Sequence, residues 1–386
     1  MLMRRRIPLA WLQLTSEKLR LLAAVAGVAF AVMLMLMQLG FRDALIASAT
    51  LIHERLEGEV VLISPLYEHL MALRSFPEAR LYHAMGTDGV ESIAPIYFSA
   101  ANWKNPDTGR EYQVEVLGIE PGTTTIRIPE INHNLERIRM PDAVLADIRS
   151  RPELGPLPAW FAERGAIVTE VNGRRITVAG LFELGTGFGV NGRLVTSSTN
   201  FLRIFPRRPA DMIDVGLIKL KSGVDPERVR ARLEERLPAD VRALTREQYA
   251  EKERNYWLVH SPVGFIFNLG TFMGLIVGAV IVYQILYSDV ADHLAEYATM
   301  KAMGFSNRQL FMVVIRQALI LTLLGFVPGL LIAWGLYLLT FKATMLPIDM
   351  TLERGVFVLV LTTGMCCSAA AFAVRKLRSA DPAEIF

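Results

Sequence analysis

The sequence predicts an α-helical membrane protein with four transmembrane helices, one plus three, and a large mixed α/β domain held outside the membrane. Three observations predict it. Four apolar stretches, at 21–41, 263–287, 311–340 and 356–374, each hold about 20 residues or more. About 220 mostly polar residues separate the first from the second. The 386-residue chain is 52% hydrophobic, with mean hydropathy +0.33, and the excess is concentrated in those stretches. A helix rises ~1.5 Å per residue, so each stretch can cross a ~30 Å hydrocarbon core. Open strands could not, because their backbone groups would go unpaired in lipid.

Residues 1–20 precede the first span. From Pro8 to Arg20 they read as a short amphipathic helix, with Trp11, Leu12, Leu14 and Leu19 apolar and Glu17, Lys18 and Arg20 between. Trp favours the membrane interface. Two readings stay open: a simple anchor, or a helix along the inner leaflet that touches a cytoplasmic partner. The first span has the look of a signal peptide, with Arg4, Arg5 and Arg6 before it and Ala47-Ser48-Ala49 after it. But its apolar run exceeds the roughly 7–15 residues of a signal core, and the Ala pair lies well beyond its end. It reads as a retained anchor.

Lys and Arg near the span ends set the orientation. Arg4, Arg5, Arg6, Lys18 and Arg20 precede the first span, Lys301 and Arg308 lie between the second and third, and Arg375, Lys376 and Arg378 follow the fourth. The 341–355 loop carries only Lys342 and Arg354, matched by Asp349 and Glu353. Both termini are therefore expected in the cytoplasm of an inner-membrane protein, with residues 42–262 on the far side. That domain holds 28 Lys/Arg and 30 Asp/Glu, a balance of −2, whereas the cytoplasmic pieces hold 10 and 6, a balance of +4. The external domain thus has no bulk positive charge to favour nucleic acid. The cytoplasmic excess is what anionic lipid headgroups attract. The two cysteines, Cys366 and Cys367, are adjacent in the fourth span and point apart on a helix, so no disulfide staples the external domain.

Within the external domain, 59–64, 112–119, 175–181 and 214–220 have the β-branched richness of strands. Asp225-Pro226-Glu227 is a helix start, followed by Val229, Leu233 and Leu237 at helical spacing. Thr245 caps a further helix leading through Tyr256-Trp257 toward the second span, with Pro262 breaking it. Residues 121–164 are dense in Pro, show little periodicity and read as a long ordered loop or insertion. Small residues mark where spans pack: Gly270, Gly274 and Gly278 on the second, and Ala23, Gly27 and Ala31 on the first. Gly325, Pro328 and Gly329 predict a kink in the third.

Chemistry-bearing motifs are few. Gly187-Phe-Gly189-Val-Asn-Gly192 matches G-x-G-x-x-G, but it precedes another strand-like run and reads as a glycine-rich turn rather than a dinucleotide site. No G-x-x-x-x-G-K-[ST] occurs, so the chain carries no P-loop. The six His, at 53, 69, 83, 133, 260 and 293, show no metal-binding spacing. No catalytic, cofactor or metal residues are assigned.

The most specific feature is 288–310, a cytoplasmic helix and loop. Ser288 can cap a helix whose first turn holds Asp289 and Asp292. Val290, Leu294, Tyr297 and Lys301 share a face, and Gly304 can end the helix. Ser306 and Gln309 then have the capping-box spacing for the third span.

That segment, Glu296-Tyr-Ala-Thr-Met-Lys301-Ala-Met-Gly304, resembles the loop between the second and third spans of FtsX/MacB-type ABC transporter permeases. The ending Arg375-Lys-Leu-Arg-Ser-Ala-Asp381-Pro382-Ala-Glu resembles the same family's C-terminus. The likeness is sharper to the DevC branch, through Pro8-Leu-Ala-Trp-Leu-Gln-Leu, Gln38-Leu-Gly-Phe-Arg-Asp-Ala-Leu, Trp103-Lys-Asn-Pro, Phe201-Leu-Arg-Ile-Phe and Tyr283-Gln-Ile-Leu-Tyr-Ser-Asp-Val-Ala-Asp-His-Leu. It covers nearly the whole chain.

The resemblance implies a non-enzymatic permease subunit that works as a homodimer over a separate ABC ATPase, which binds the ATP and Mg²⁺. It implies a membrane-fusion adaptor, a TolC-like outer-membrane channel, and export of lipid or glycolipid cargo drawn from the membrane. It places ATPase coupling at Asp289, Asp292, Leu294, Glu296, Tyr297, Met300, Lys301, Met303 and Gly304. Glu296 and Lys301 are the expected polar contacts, Tyr297 and Met300 the packing contacts. Two rival roles share the span pattern: an FtsX-like signalling permease that controls a cell-wall hydrolase, and a lipoprotein-releasing permease.

Overall fold

The computed structural model describes residues 9–187 and 189–379. In chain order its helices are α1 (Leu9–Ser16), α2 (Lys18–Arg55), α3 (Ala79–Met85), α4 (Pro129–His133), α5 (Leu135–Ile138), α6 (Leu157–Arg164), α7 (Ser198–Ile204), α8 (Pro226–Arg236), α9 (Arg246–Asn255), α10 (Pro262–Asp292), α11 (Leu294–Ala302), α12 (Asn307–Thr344) and α13 (Leu352–Ser379). The strands are β1 (Val60–Ile63), β2 (Phe76–Pro77), β3 (Val90–Lys104), β4 (Glu111–Ile119), β5 (Ala143–Asp147), β6 (Ile167–Val171), β7 (Arg174–Phe182), β8 (Arg193–Ser197), β9 (Met212–Ile213), β10 (Val215–Leu220) and β11 (Arg242–Thr245). The described residues form two compact units. Ala44–Val263 and Phe341–Pro347 make one; those before Ala44, Gly264–Thr340 and those from Ile348 make the other.

The helical unit carries the four apolar spans. α2, α10, α12 and α13 each contain a window of mean hydropathy 2.1 to 2.3, long enough to cross a bilayer, and the protein is a membrane protein. The helices outrun the apolar stretches, because polar residues at their ends continue the backbone ladder without needing lipid. α2 and α12 are each 38 residues long, and α12 stays helical through Pro328. The buried seam of this unit holds Val28, Val32, Met35 and Leu36 of α2, Val282 and Leu286 of α10, Val314, Ala318 and Leu321 of α12, and Ala369, Ala370 and Ala373 of α13.

The α/β unit is built on a nine-stranded mixed sheet, ordered β11-β1-β10-β3-β4-β8-β5-β7-β6. The 15-residue β3 pairs antiparallel with β10 over its first half and with β4 from Ile96 to Lys104. At its far end Trp103 also pairs with Val171 of β6, which closes six strands into a ring. Trp103 is fully buried inside, its indole N–H donating to the Leu154 carbonyl. Apolar residues cover both faces of the sheet. Tyr97, Val116, Leu194 and Phe201 belong to one cluster; Ile96, Leu117, Val195 and Leu217 belong to the other.

The caps follow the sequence. Asp225 accepts from the Glu227 N–H at 3.0 Å to start α8. Thr245 and Gln248 form a full capping box for α9. Residues 121–164 differ from expectation. They are not a long loop: β5 sits inside the sheet, antiparallel to β8 and parallel to β7. Its five residues are all buried, and a run that short has no readable alternation. The expected helix start at Ser288 is also corrected, because α10 runs through it to Asp292. The Gly187 to Gly192 segment leads into β8, and a side chain at Gly192 would collide with Ser150 and Leu154. The buried Asp147 carboxyl anchors the preceding chain by accepting from the N–H groups of Leu184 and Gly185.

Candidate functional site

α11 is the one short helix between two spans in the C-terminal part. Its limits are local chemistry. His293 leaves the helical region at φ −93°, ψ 15° and separates it from α10. Gly304 takes φ +93°, a conformation costly for any residue with a Cβ, and stops it. Ser306 and Gln309 then exchange hydrogen bonds, Ser306 N–H to Gln309 Oε1 at 2.8 Å and Gln309 N–H to Ser306 Oγ at 3.4 Å, and α12 begins.

One side of α11 is fastened to its own bundle. Tyr297 is buried, and its hydroxyl donates to Gln13 Oε1 at 3.3 Å. Gln13 Nε2 donates to Glu296 Oε2 at 3.2 Å. Gln317, deep in α12, donates from Nε2 to Gln13 Oε1 at 3.3 Å and to Asp289 Oδ2 at 3.0 Å. His293 Nδ1 donates to the Asp289 carbonyl at 2.9 Å. Beside them Arg20 pairs with Asp292 at 2.8 Å and with Glu17 at 3.1 Å. Helices α1, α2, α10, α11 and α12 therefore meet at one polar hub. Gln13, Asp289 and Gln317 are all buried, so each hydrogen bond removed would expose a desolvated partner. Burial, reinforced by the nearby Asp289 charge, holds the Tyr297 hydroxyl above its ordinary range, so it stays a neutral donor.

The other side of α11 is open. Ala295, Glu296, Thr299 and Ala302 are exposed, and the turn beyond presents Met303 and Phe305 at 66% and 45% exposure. Helical period explains the division, since Tyr297 and Ala298 point inward while Ala295 and Thr299 fall on the opposite side.

The coupling residues expected from the sequence therefore separate. Met303 and Gly304 lie on the open side, and Glu296 is exposed while it also accepts from Gln13. Leu294, Met300 and Lys301 are half-buried, and Met300 packs against the bundle core. Asp292 is exposed but engaged by Arg20. Asp289 and Tyr297 are a correction: expected to face a partner, they face this chain's own α1 and α12. Of the shared face of Val290, Leu294, Tyr297 and Lys301, Val290 and Tyr297 are buried, and Leu294 and Lys301 remain partly accessible.

The packing residues also find their partners within the chain. A side chain at Gly270 would meet Gln38, at Gly274 Met35, and at Gly278 Ala31 and Met365. Gly27 lies against Ile281. Ala23 is corrected: it is exposed, and Ala24, one residue on, is buried in its place. Gly325 and Gly329 of α12 approach Val28 and Ala29 of α2, where a Cβ at Gly329 would lie 2.7 Å from the Ala29 carbonyl oxygen.

Sequence reasoning missed Gln13, Gln317 and Arg354. Gln317 had a signal, as an uncharged polar residue inside an apolar span. Arg316 beside it is exposed. Arg354, read as a loop charge balanced by Asp349 and Glu353, is nearly buried instead. It pairs with Asp43 at 2.8 Å and donates to the Asp349 carbonyl at 2.6 Å and Tyr337 Oη at 3.3 Å. Tyr337 in turn donates to the Leu36 carbonyl. This second cluster ties α2, α12 and α13 at the end away from α11. Among the described residues no group of three or more His, Cys, Asp or Glu is placed to hold a metal.

Residues 268–382 match the family described as FtsX-like permease C-terminal, a stretch that runs from α10 through α11 and α12 to the end of α13. The chain is also similar to the periplasmic region of MacB from Actinobacillus actinomycetemcomitans, at 10% identity and TM-score 0.34, over 53% of this chain and 96% of that one. It is similar to the extracellular domain of the noncanonic ABC-type transporter YknZ from Gram-positive bacteria, at 15% identity and TM-score 0.33, over 48% and 98%. No curated protein matches it.

Proposed function

We propose that this chain is the permease subunit of an ABC exporter, with both termini in the cytoplasm of an inner-membrane assembly and the α/β unit on the periplasmic side. A separate ABC ATPase binds ATP and Mg²⁺ and docks on the open side of α11. The observation that carries this reading is the FtsX-like match across residues 268–382, with a short helix set between two spans at its centre. The chain works as a homodimer, and its DevC-like sequence favours export of lipid or glycolipid through a membrane-fusion adaptor and a TolC-like channel.

In this reading α11 is the input. Its inner side is fixed by Gln13, Tyr297 and Gln317, so a push on its outer side passes into α1, α10 and α12 rather than being absorbed by a loose loop. The spans move as near-rigid levers and the external domain changes shape. ATP must favour one state by a differential free energy, about 5.5 kcal/mol to swing a population from 1:99 to 99:1.

The test is mutational. Lys301→Glu and Glu296→Lys reverse charge on α11, and Met300→Pro breaks its backbone at about 3 kcal/mol. Each is expected to lower permease-stimulated ATP hydrolysis while membrane insertion stays intact. Full stimulation in all three variants would refute the assignment of α11 as the coupling helix.

A further inference from the structure

The α/β unit holds a cleft of about 720 Å³ between two walls, one the chain around Tyr67 and Glu68, the other α9 with the turn that follows it. That turn, Tyr256–His260, is a π-helix, a rare conformation that tends to mark functional sites. Pro262 opens α10 two residues later, so this turn and the second span are joined by only a few residues of chain.

The walls are locked together by one buried carboxylate. Glu253 on α9 is 1% exposed. It accepts from Tyr67 Oη at 2.5 Å and the Leu70 N–H at 3.0 Å on one wall, and from Trp257 Nε1 at 2.9 Å on the other. His69 stacks on Tyr256 at 4.2 Å across the same gap. Burying a carboxylate is unfavourable unless it is well hydrogen-bonded, and here that arrangement pre-forms the cleft.

What lines the cleft is unusual in its charge. Of the Asp, Glu, Lys and Arg residues that line it, Glu251 pairs with Arg254, whereas Glu68 and Lys252 have no ion-pair partner within 4 Å among the described residues. They are an acid and a base in one cleft, too far apart to satisfy each other. Both walls also carry an exposed aliphatic residue beside the charge, Leu66 at 71% and Val259 at 72%. A ligand with one cation, one anion and an attached hydrocarbon would complement all four.

We infer that this cleft receives the zwitterionic headgroup of a phosphoethanolamine-type lipid from the adjoining leaflet, its ammonium toward Glu68 and its phosphate toward Lys252. The inference deepens the lipid-export reading above and rests on it for the cleft's use.

The full chain is placed in nanodiscs made mainly of phosphatidylglycerol with a minor share of photoactivatable phosphatidylethanolamine, and cross-links are mapped by mass spectrometry. Cross-links are expected on residues 65–71 and 248–260, competed by unlabelled phosphatidylethanolamine and not by added phosphatidylglycerol. Glu68→Gln and Lys252→Gln, both away from the core, should each cut the yield about tenfold. Unchanged yield in both variants, or equal competition by phosphatidylglycerol, would overturn the inference. Equal competition by soluble phosphoethanolamine would overturn the assignment to a lipid. Labelling does not need the ATPase, so a chain that labels as expected but does not stimulate ATP hydrolysis supports the cleft and counts against the permease reading alone.

Discussion

Gln317 and Glu253 show how much a single buried polar side chain fixes. Gln317 bridges Asp289 and Gln13, so Gln317→Leu removes a donor from both and leaves a desolvated acceptor behind. The expected cost is about 1–3 kcal/mol, read as a lower unfolding midpoint of the reconstituted chain. Arg316→Gln, one residue away and exposed, should leave that midpoint in place. Glu253 makes a pH prediction. Burial raises its carboxyl above the ordinary 4.5, partly opposed by hydrogen bonds from Tyr67, Trp257 and the Leu70 N–H. His53 lies 3.7 Å from the carboxylate, Tyr249 is tilted against that imidazole with ring centroids 4.3 Å apart, and the Glu115 charge adds to the upward shift. A raised value in the folded state means that folding binds a proton there. The contribution is complete below the unfolded value and is lost as pH rises through the folded one. As pH rises above the ordinary carboxyl range the parent chain should therefore lose stability relative to Glu253→Gln. A stability difference between the two that does not change with pH would refute this account of Glu253.

At the scale of elements, close approach between spans depends on glycine. Gly329→Ala would drive a Cβ into the Ala29 backbone, where no rotamer can relieve it, and should destabilise the α2–α12 contact. Gly364→Ala, with nothing within 4 Å, is the control and should be neutral. Thermal unfolding of the two variants in nanodiscs separates them. Elements with strong local signals were legible beforehand. The spans announce themselves by apolar length, α8 by Asp225-Pro226-Glu227, and α9 by the Thr245 and Gln248 spacing. β5 was not, because a five-residue strand buried on both faces has no period to read. The open side of α11 was partly legible, since helical spacing grouped Val290, Leu294, Tyr297 and Lys301 on one face. Which way that face points was not, because only the positions of Gln13 and Gln317, roughly 300 residues apart in the chain, turn it inward.

At the scale of the molecule, the one-plus-three pattern of spans sets a large folded unit between the first and second spans, and every proposed step follows from a partner acting at α11. The central claim is that ATP hydrolysis by a separate chain is coupled through this one. The direct test is to isolate the full chain from membranes with its bound ATPase. Hydrolysis by that ATPase is then compared alone, with the parent chain, and with Lys301→Glu, all in nanodiscs. The account predicts faster hydrolysis with the parent chain and loss of that gain in the variant, which still inserts and folds. An intact, folded chain that retains no ATPase, or one that leaves its rate unchanged, would contradict it.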